Sequence, residues 1–163
     1  MSGVDLTLRT LHDDERDLEQ DLLAAAERHR VEHEFHHIAT DVARWSREHA
    51  VRLAALGRDH GLALSGPREH PSPGALAALR EKASQALGRR PGTGLLLLQD
   101  LRDLHLAAVR NSLHWEMLAQ AAQATRDRDL LELVSACHPQ TLRQMRWTNT
   151  MIKVLSPQLL VSG

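Results

Sequence analysis

Apolar residues recur at every third or fourth position along most of the chain, a spacing that places them on one face of an α-helix. The pattern predicts four long helices, at about residues 5–29, 34–56, 95–124 and 128–155. Neither Gly nor Pro separates the first two helices. We place the turn near residues 29–33, because one helix from 5 to 56 would be roughly 78 Å long, too long for a small domain.

The middle of the chain has a different amino-acid composition. The chain has nine glycines and six prolines, and eleven of these fifteen residues lie between residues 57 and 94. Both residue types interrupt helices. A connection of this length can return along a helical pair rather than merely turn. Within it, Ser72 as N-cap and Pro73 at the first helical position predict a short helix at about 73–87.

The expected fold is therefore all-α: a single domain over residues 1–163, built as an antiparallel four-helix bundle with a long crossover that contains a short extra helix. In the fourth helix, Pro139 is expected to kink or divide the helix, since it removes the bond to the carbonyl of Ser135. Ser156 and Pro157 are expected to end it. The predicted inward-facing residues of this helix are Leu131, Val134, His138, Leu142, Met145, Thr148, Ile152 and Leu155.

The amino-acid composition supports a helical fold and argues against nucleic-acid binding and a membrane span. The chain is 42% hydrophobic with one Phe and no Tyr, and its net charge of −1 does not favour a phosphate-binding surface for nucleic acid. The apolar run at residues 95–98 is far too short to cross a membrane. With Cys137 as its single cysteine and no apolar leader, the chain is expected to be cytoplasmic.

Two polar residues interrupt the apolar stripes of the first hairpin. Glu15 and His49 lie equally far from the expected turn, so they should meet at one level of the bundle. A helical hairpin, a crossover and a second hairpin, together with this Glu–His pair, resemble the ferritin-like superfamily. Its di-metal members bind metal with a Glu on two helices and a Glu-x-x-His motif on the other two. Here the residues three before His49 and His138 are Ser46 and Ser135, so the resemblance implies a degenerate metal cage.

Several readings of these histidines stay open. Glu15 and His49 could hold one iron, manganese or zinc ion, completed by His105 or His138 if the turns are misplaced, or they could simply pair inside the core. With the second turn near Asp127, His105 and His138 are offset by roughly 16 Å along their helices. They should then not share a metal.

Two further groups have simpler explanations. The histidines at 29, 33, 36 and 37 have chelating spacing, but the expected turn passes through them, so a solvated hairpin tip is the favoured explanation. Cys137 and His138 are adjacent, so on a helix they point about 100° apart and do not form an activated thiol pair.

The end of the chain, residues 140–147 and 152–158, resembles the C-terminal segment of uncharacterised ferritin-like proteins from GC-rich bacteria. With residues 101–129 the likeness covers about the last third. It implies the bundle fold and a bacterial setting, and it implies no activity.

The sequence thus predicts a non-enzymatic interaction or accessory protein without a cofactor. The alternative is a metal-binding oxidoreductase or metal-storage protein. Trp147 and Met151 lie off the predicted core stripe of the fourth helix, on a second, mixed stripe. They are expected to contribute to a homodimer interface, since aromatic and Met residues favour such contacts. Any other protein partner is left unidentified.

Overall fold

The computed structural model describes residues 1–66 and 92–161, and within them the chain is all-helical. The helices are α1 (Gly3–Arg28), α2 (His33–Asp59), α3 (Thr93–Thr125) and α4 (Arg128–Val161). Three of the four match the predicted bounds within three residues at each end, and the all-α prediction is confirmed for the described ranges. The short helix predicted at 73–87 lies outside them.

Local signals set the helix ends. Ser2 caps α1 in a reciprocal box with Asp5, which satisfies two backbone donors at the first turn. The α3–α4 turn places Arg126 in the left-handed region, with φ 56°, and the Asp127 carboxylate then accepts from the Leu130 amide at the start of α4. Helix α2 continues through Gly57, beyond its predicted end at residue 56, and the left-handed glycine that follows it is Gly61, with φ 76°.

Neighbouring helices run antiparallel. Near the middle of the bundle, α1 meets α2 through Glu15 and His49. The end of α1 meets the beginning of α3 through His29 and Asp100. The same antiparallel relation holds between α3 and α4 and between α2 and α4. The four helices therefore form a bundle in which α1 is parallel to α4, and α2 to α3.

This arrangement requires a connection along the length of the bundle. His60, just after α2, lies 3.2 Å from Asp5 at the start of α1. Asp100, near the start of α3, instead lies beside His29 at the end of α1. The end of α2 and the beginning of α3 consequently lie toward opposite ends of the bundle.

The core consists of two hydrophobic clusters. The first lies at the end where α1 begins and is built around Leu8, Leu11, Leu53 and Trp115. The second lies at the opposite end, around Leu22, Phe35 and Leu101. Between them every helix turns polar side chains inward, and we call this set the polar layer: Glu15, Ser46, His49, Asn111, Ser112, Thr141 and Gln144.

The inward face of α4 differs from the prediction. Leu131 and Leu142 were expected inside, yet they are 36% and 43% exposed. The buried residues of α4 are Leu130, Leu133, Val134, Cys137, Thr141, Gln144 and Thr148. The prediction was wrong because it assumed an apolar inward face, whereas Thr141 and Gln144 belong to the polar layer.

The prolines of α4 neither divide nor end it. Pro139 and Pro157 both lie inside a continuous helix, so the predicted end at Ser156 and Pro157 is wrong. Each proline leaves one carbonyl four residues earlier without its amide donor. Those carbonyls belong to the exposed residues Ser135 and Lys153, where water can bond to them.

The expected interface residues pack within the chain itself. The Trp147 indole stacks on Phe35, with ring centroids 5.6 Å apart, and the interplanar angle is 26°. Trp147 and Met151 are half-buried against the second hydrophobic cluster. The expectation that both side chains lie on an outward face of α4 is wrong, because the rotation of α4 about its axis brings them against the second hydrophobic cluster.

Across the described ranges, none of the helices combines the length and apolar character needed to cross a bilayer.

Candidate functional site

The centre of the polar layer is the pair of Glu15 from α1 and His49 from α2. His49 Nδ1 lies 3.2 Å from Glu15 Oε2, and the two side chains are 1% and 0% exposed. The predicted meeting of these residues is confirmed. It follows from their equal distance to the α1–α2 turn, which sets them at the same level of an antiparallel hairpin.

The surroundings of His49 decide its charge. Burial alone would lower the pKa of His49, but the Glu15 carboxylate and the Gln140 side chain outweigh it, and the net effect is a raised pKa. His49 Nε2 is 2.8 Å from Gln140 Oε1 and donates to it. These surroundings thus favour the protonated form of His49 beside Glu15.

The second hairpin completes the shell around this pair. The Trp115 indole N–H donates to Glu15 Oε1 at 3.3 Å, and its ring meets His49 edge-on. The sequence predicted neither the bond from Trp115 nor the one to Gln140. Both depend on how the two hairpins face each other, which periodicity within one helix does not reveal.

A second buried acid lies one turn along α1. Glu19 is 3% exposed and accepts from Arg47 Nη1 of α2 at 3.5 Å. The two inward carboxylates of α1 are therefore each matched by a basic side chain of α2, which offsets the cost of burying them.

Other members of the layer are unequally satisfied. Gln144 Nε2 donates to the Val42 carbonyl and to Ser46 Oγ, both at 3.0 Å. In contrast, both side-chain polar atoms of Asn111 and the Thr141 hydroxyl are buried without a hydrogen-bond partner. Glu15 Oε2 and His49 Nδ1 face each other as an ion pair, and neither has a hydrogen bond.

His105 and His138 do not join this pair. His105 Nδ1 bonds to Thr148 Oγ1 at 2.8 Å, and His138 Nε2 bonds to Ser112 Oγ at 2.9 Å. In the part of the chain that the structure describes, no three His, Cys, Asp or Glu side chains gather in a way that could hold a metal ion. The possible completion of the Glu15–His49 site by either histidine therefore finds no support.

Ser112 and His138 have a neighbour that suggests catalysis. His138 Nδ1 is 4.0 Å from Glu116 Oε2, which gives the order serine, histidine, glutamate. Burial lowers the pKa of His138 despite this acid, which favours the neutral imidazole, the form that can accept from the serine hydroxyl. However, 4.0 Å is too long for an orienting hydrogen bond. The helical amides around Ser112 are also engaged in α3, so the set lacks an oxyanion hole.

Cys137 is chemically quiet. It is 1% exposed, and burial raises the pKa of its thiol to about 12. The thiolate needed for nucleophilic attack or metal binding is therefore scarce. His138 points instead to Ser112, as expected for adjacent helical residues.

The histidines around the α1–α2 turn have separate partners. His29 is buried and bonds to Asp100, whereas His36 Nδ1 bonds to the Ala26 carbonyl at 2.7 Å. His33 and His37 lie on the exposed side. This arrangement is that of a structured hairpin tip.

A surface groove of about 200 Å³ lies beside Asp100, between α1 and α3. Arg28 Nε and His29 Nε2 both donate to Asp100 Oδ2, at 3.1 and 2.7 Å. Burial would raise the pKa of Asp100, but His29 and Arg28 outweigh it and the pKa is lowered. Asp100 thus links the end of α1 to α3.

Comparisons of the chain with protein-family models, with curated proteins and with solved structures found no match. Function therefore has to be argued from the polar layer itself.

Proposed function

We propose that the protein is a non-enzymatic, ferritin-like helical bundle that acts as an interaction or accessory protein, with a polar layer at the level where ferritin-like bundles hold metal. The observation that carries this proposal is that a polar side chain lies beside each ring nitrogen of His49. Its two nitrogens face Glu15 and Gln140, at 3.2 and 2.8 Å. A metal ligand needs one nitrogen free for the ion.

Charge balance supports the same proposal. Di-metal centres of ferritin-like bundles gather four carboxylates around two cations. In the polar layer Glu15 is the acid beside His49, and the raised pKa of His49 favours the positively charged form of that partner. Protonated His49 thus takes the place that a metal cation would have beside the Glu15 side chain.

The antiparallel pairing and the long connection are consistent with ferritin-like wiring, and the single buried Cys137 fits a reducing, cytoplasmic setting. Partners then have to be sought on the outer faces of the helices.

A second candidate, a metal-binding oxidoreductase or storage protein, draws on the unpaired atoms of the layer. Glu15 Oε2, both polar side-chain atoms of Asn111 and the Thr141 hydroxyl are buried without hydrogen bonds. Oxygen atoms of this kind can bind a hard cation such as manganese. In this reading His49 would lose its proton when iron, manganese or zinc binds.

Metal analysis separates the two candidates. The protein would be purified without a histidine tag, from cells grown with added iron, manganese or zinc, as wild type, His49→Ala and His138→Ala. We expect metal far below one ion per chain in all three, because Glu15 already has a cationic partner. Near-stoichiometric metal that is lost in His49→Ala but retained in His138→Ala would establish the metalloprotein instead.

A further inference from the structure

The residues that directly follow α2 lie folded against the bundle, and we call residues 60–66 the strap. Leu62 is 9% exposed within the first hydrophobic cluster, and Leu64 packs against the same cluster. Gly57 of α2 makes room for this packing, because a Cβ at that position would come within 2.8 Å of Leu64 Cδ1. The Leu62 amide donates to the Gly57 carbonyl at 2.8 Å. The strap is therefore an ordered cover over the end of α2.

One buried side chain of α1 holds the far end of the strap. His12 Nε2 lies 2.5 Å from the Ser65 carbonyl oxygen, and the His12 side chain is 1% exposed. A carbonyl oxygen only accepts, so Nε2 carries a proton in this contact. His12 Nδ1 is buried as well and has no hydrogen-bond partner. The neutral ring, with a proton on Nε2 alone, therefore holds the strap without placing a charge in the interior.

The surroundings of His12 oppose a second proton. Burial lowers the pKa of His12, and the net effect remains a lowering although the Ser65 carbonyl and Asp13 favour the charged form. Asp13 Oδ1 is 3.5 Å from Nδ1, but the Asp13 side chain is 59% exposed, so water screens its attraction. Among the described residues, Asp13 and Arg16 of α1 are the charged groups that act on His12, and Arg16 disfavours its protonation. Residues 61–66 carry no titratable side chain.

The strap begins with a second histidine, whose neighbours are acids. His60 Nδ1 lies 3.2 Å from Asp5 Oδ1, and His60 Nε2 lies 4.0 Å from Asp127 Oδ2. Both carboxylates attract a proton on His60, so protonation there favours the closed strap. Acid therefore acts in opposite directions at the two histidines that hold the strap.

We propose that His12 is a pH-sensitive latch, which holds residues 61–66 against α1 while its ring is neutral and releases them when the ring is protonated. The hydrogen bond to Ser65 is possible in both states of the ring. What protonation changes is the free energy of keeping a charged ring away from water. Release hydrates His12 and exposes Leu62 and Leu64.

The direction of the pH dependence follows from linkage. The closed form binds the His12 proton less tightly than a released form in which the ring titrates near its ordinary pKa of 6.5. The closed strap should therefore be fully favoured above pH 6.5 and lose stability as the pH falls below it. His12 lies outside the polar layer, so this inference is independent of metal binding and of the proposed function.

Amide hydrogen exchange of Leu62 tests the latch, because its N–H is bonded inside the closed strap. Dividing its exchange rate by that of an unstructured peptide at the same pH removes the chemical effect of pH. From about pH 7.5 to about pH 5, the protection of Leu62 in the wild type should fall by about threefold or more. The amide of Ala50, in the middle of α2, reports opening of the whole bundle and should not fall with it.

Two variants assign the effect. His12→Gln keeps a donor for the Ser65 carbonyl and does not titrate, so the protection of Leu62 should not fall on acidification. His60→Gln keeps a donor for Asp5 and removes the group that favours closure in acid, so it should show at least the wild-type fall. A wild type without the fall, a fall that persists in His12→Gln, or loss of the fall in His60→Gln overturns the inference.

The His12 ring itself gives a test in the unaltered protein. Its carbon-bound protons can be followed by NMR as the pH is lowered, and the pKa of His12 should lie below the ordinary value of 6.5. The exposed His33 on α2 serves as the reference. Ionisation of His12 at the same pH as His33, or at a higher one, would show that burial does not disfavour its charged form and would contradict the latch.

Discussion

At the scale of single residues, the most informative group is His49. Two opposing influences act on it: burial lowers the pKa of His49, while the neighbouring carboxylate raises it by more. Stability and protonation are thus linked at one buried imidazole, and the direction of the link depends on Glu15.

The first prediction concerns this link. The raised pKa means that the folded protein holds the His49 proton more tightly than the unfolded chain, where it titrates near pH 6.5. The stabilisation should be complete below pH 6.5 and be lost as the pH rises through the folded-state value. In Glu15→Gln the charge is removed and burial dominates. The pKa of His49 should then fall below 6.5, and stability should increase as the pH rises toward 6.5.

Urea unfolding of both proteins across this pH range measures the two slopes. Introducing His49→Gln into the Glu15→Gln background is the control, because it removes the group that titrates there and should flatten the slope of that variant. Identical pH dependence of the wild type and Glu15→Gln would show that the carboxylate does not control the charge of His49.

At the scale of the helices, α4 shows how a long helix accommodates residues that ordinarily disrupt one. Pro139 interrupts the bonding of α4 at its solvent side, where water replaces the missing donor. The interruption therefore costs helix stability without exposing the core.

The second prediction is that Pro139→Ala stabilises the protein. The new amide can donate to the Ser135 carbonyl, and both residues are exposed, so no packing is lost. We expect the free energy of unfolding to rise by about 1–3 kcal/mol, measured by urea denaturation. Pro157→Ala, close to the end of α4, should give a smaller gain because helix ends fray. No gain at position 139 would mean that the kink or fixed φ of the proline is itself favourable.

The helices also show which features sequence reasoning can reach. The bounds of α1, α2 and α3 follow from residue spacing within each helix, and the Glu15–His49 contact follows from spacing within one hairpin, so both were predictable. The end of α4 was not. The inward face of α4 was not, because Thr141 and Gln144 point inward and break the apolar periodicity on which the prediction depended. The roles of Trp115 and Gln140 require the rotation of each helix about its axis, and this is fixed by packing between hairpins.

At the scale of the whole molecule, the interior alternates along its length: an apolar cluster, the polar layer and a second apolar cluster. Buried polar groups without partners are expensive. The polar layer therefore lowers the stability of the bundle. The clearest case is Asn111, which is 0% exposed and has no hydrogen bond to either polar side-chain atom.

The third prediction is that Asn111→Leu raises the free energy of unfolding by about 1–3 kcal/mol, because it replaces two unpaired polar groups by methyl groups and keeps the branching of the side chain. Thermal and urea unfolding would measure the gain. Asn111→Ala is the control, since it removes the same groups but leaves a cavity, and it should gain less or lose. Destabilisation by the leucine would indicate that Asn111 has a bound partner, such as water or an ion.

The long connection between α2 and α3 has a consequence for the order of assembly. Each hairpin is closed by a short turn, at residues 29–32 and 126–127, so its own contacts form with little loss of chain entropy. Contacts between hairpins wait for a much larger loop to close, and such contacts are slow to form. Glu15 and His49 can therefore meet while their hairpin stands alone, still hydrated. Docking of the second hairpin would then expel that water and seal the pair beneath Trp115 and Gln140, making its dehydration a late event in folding.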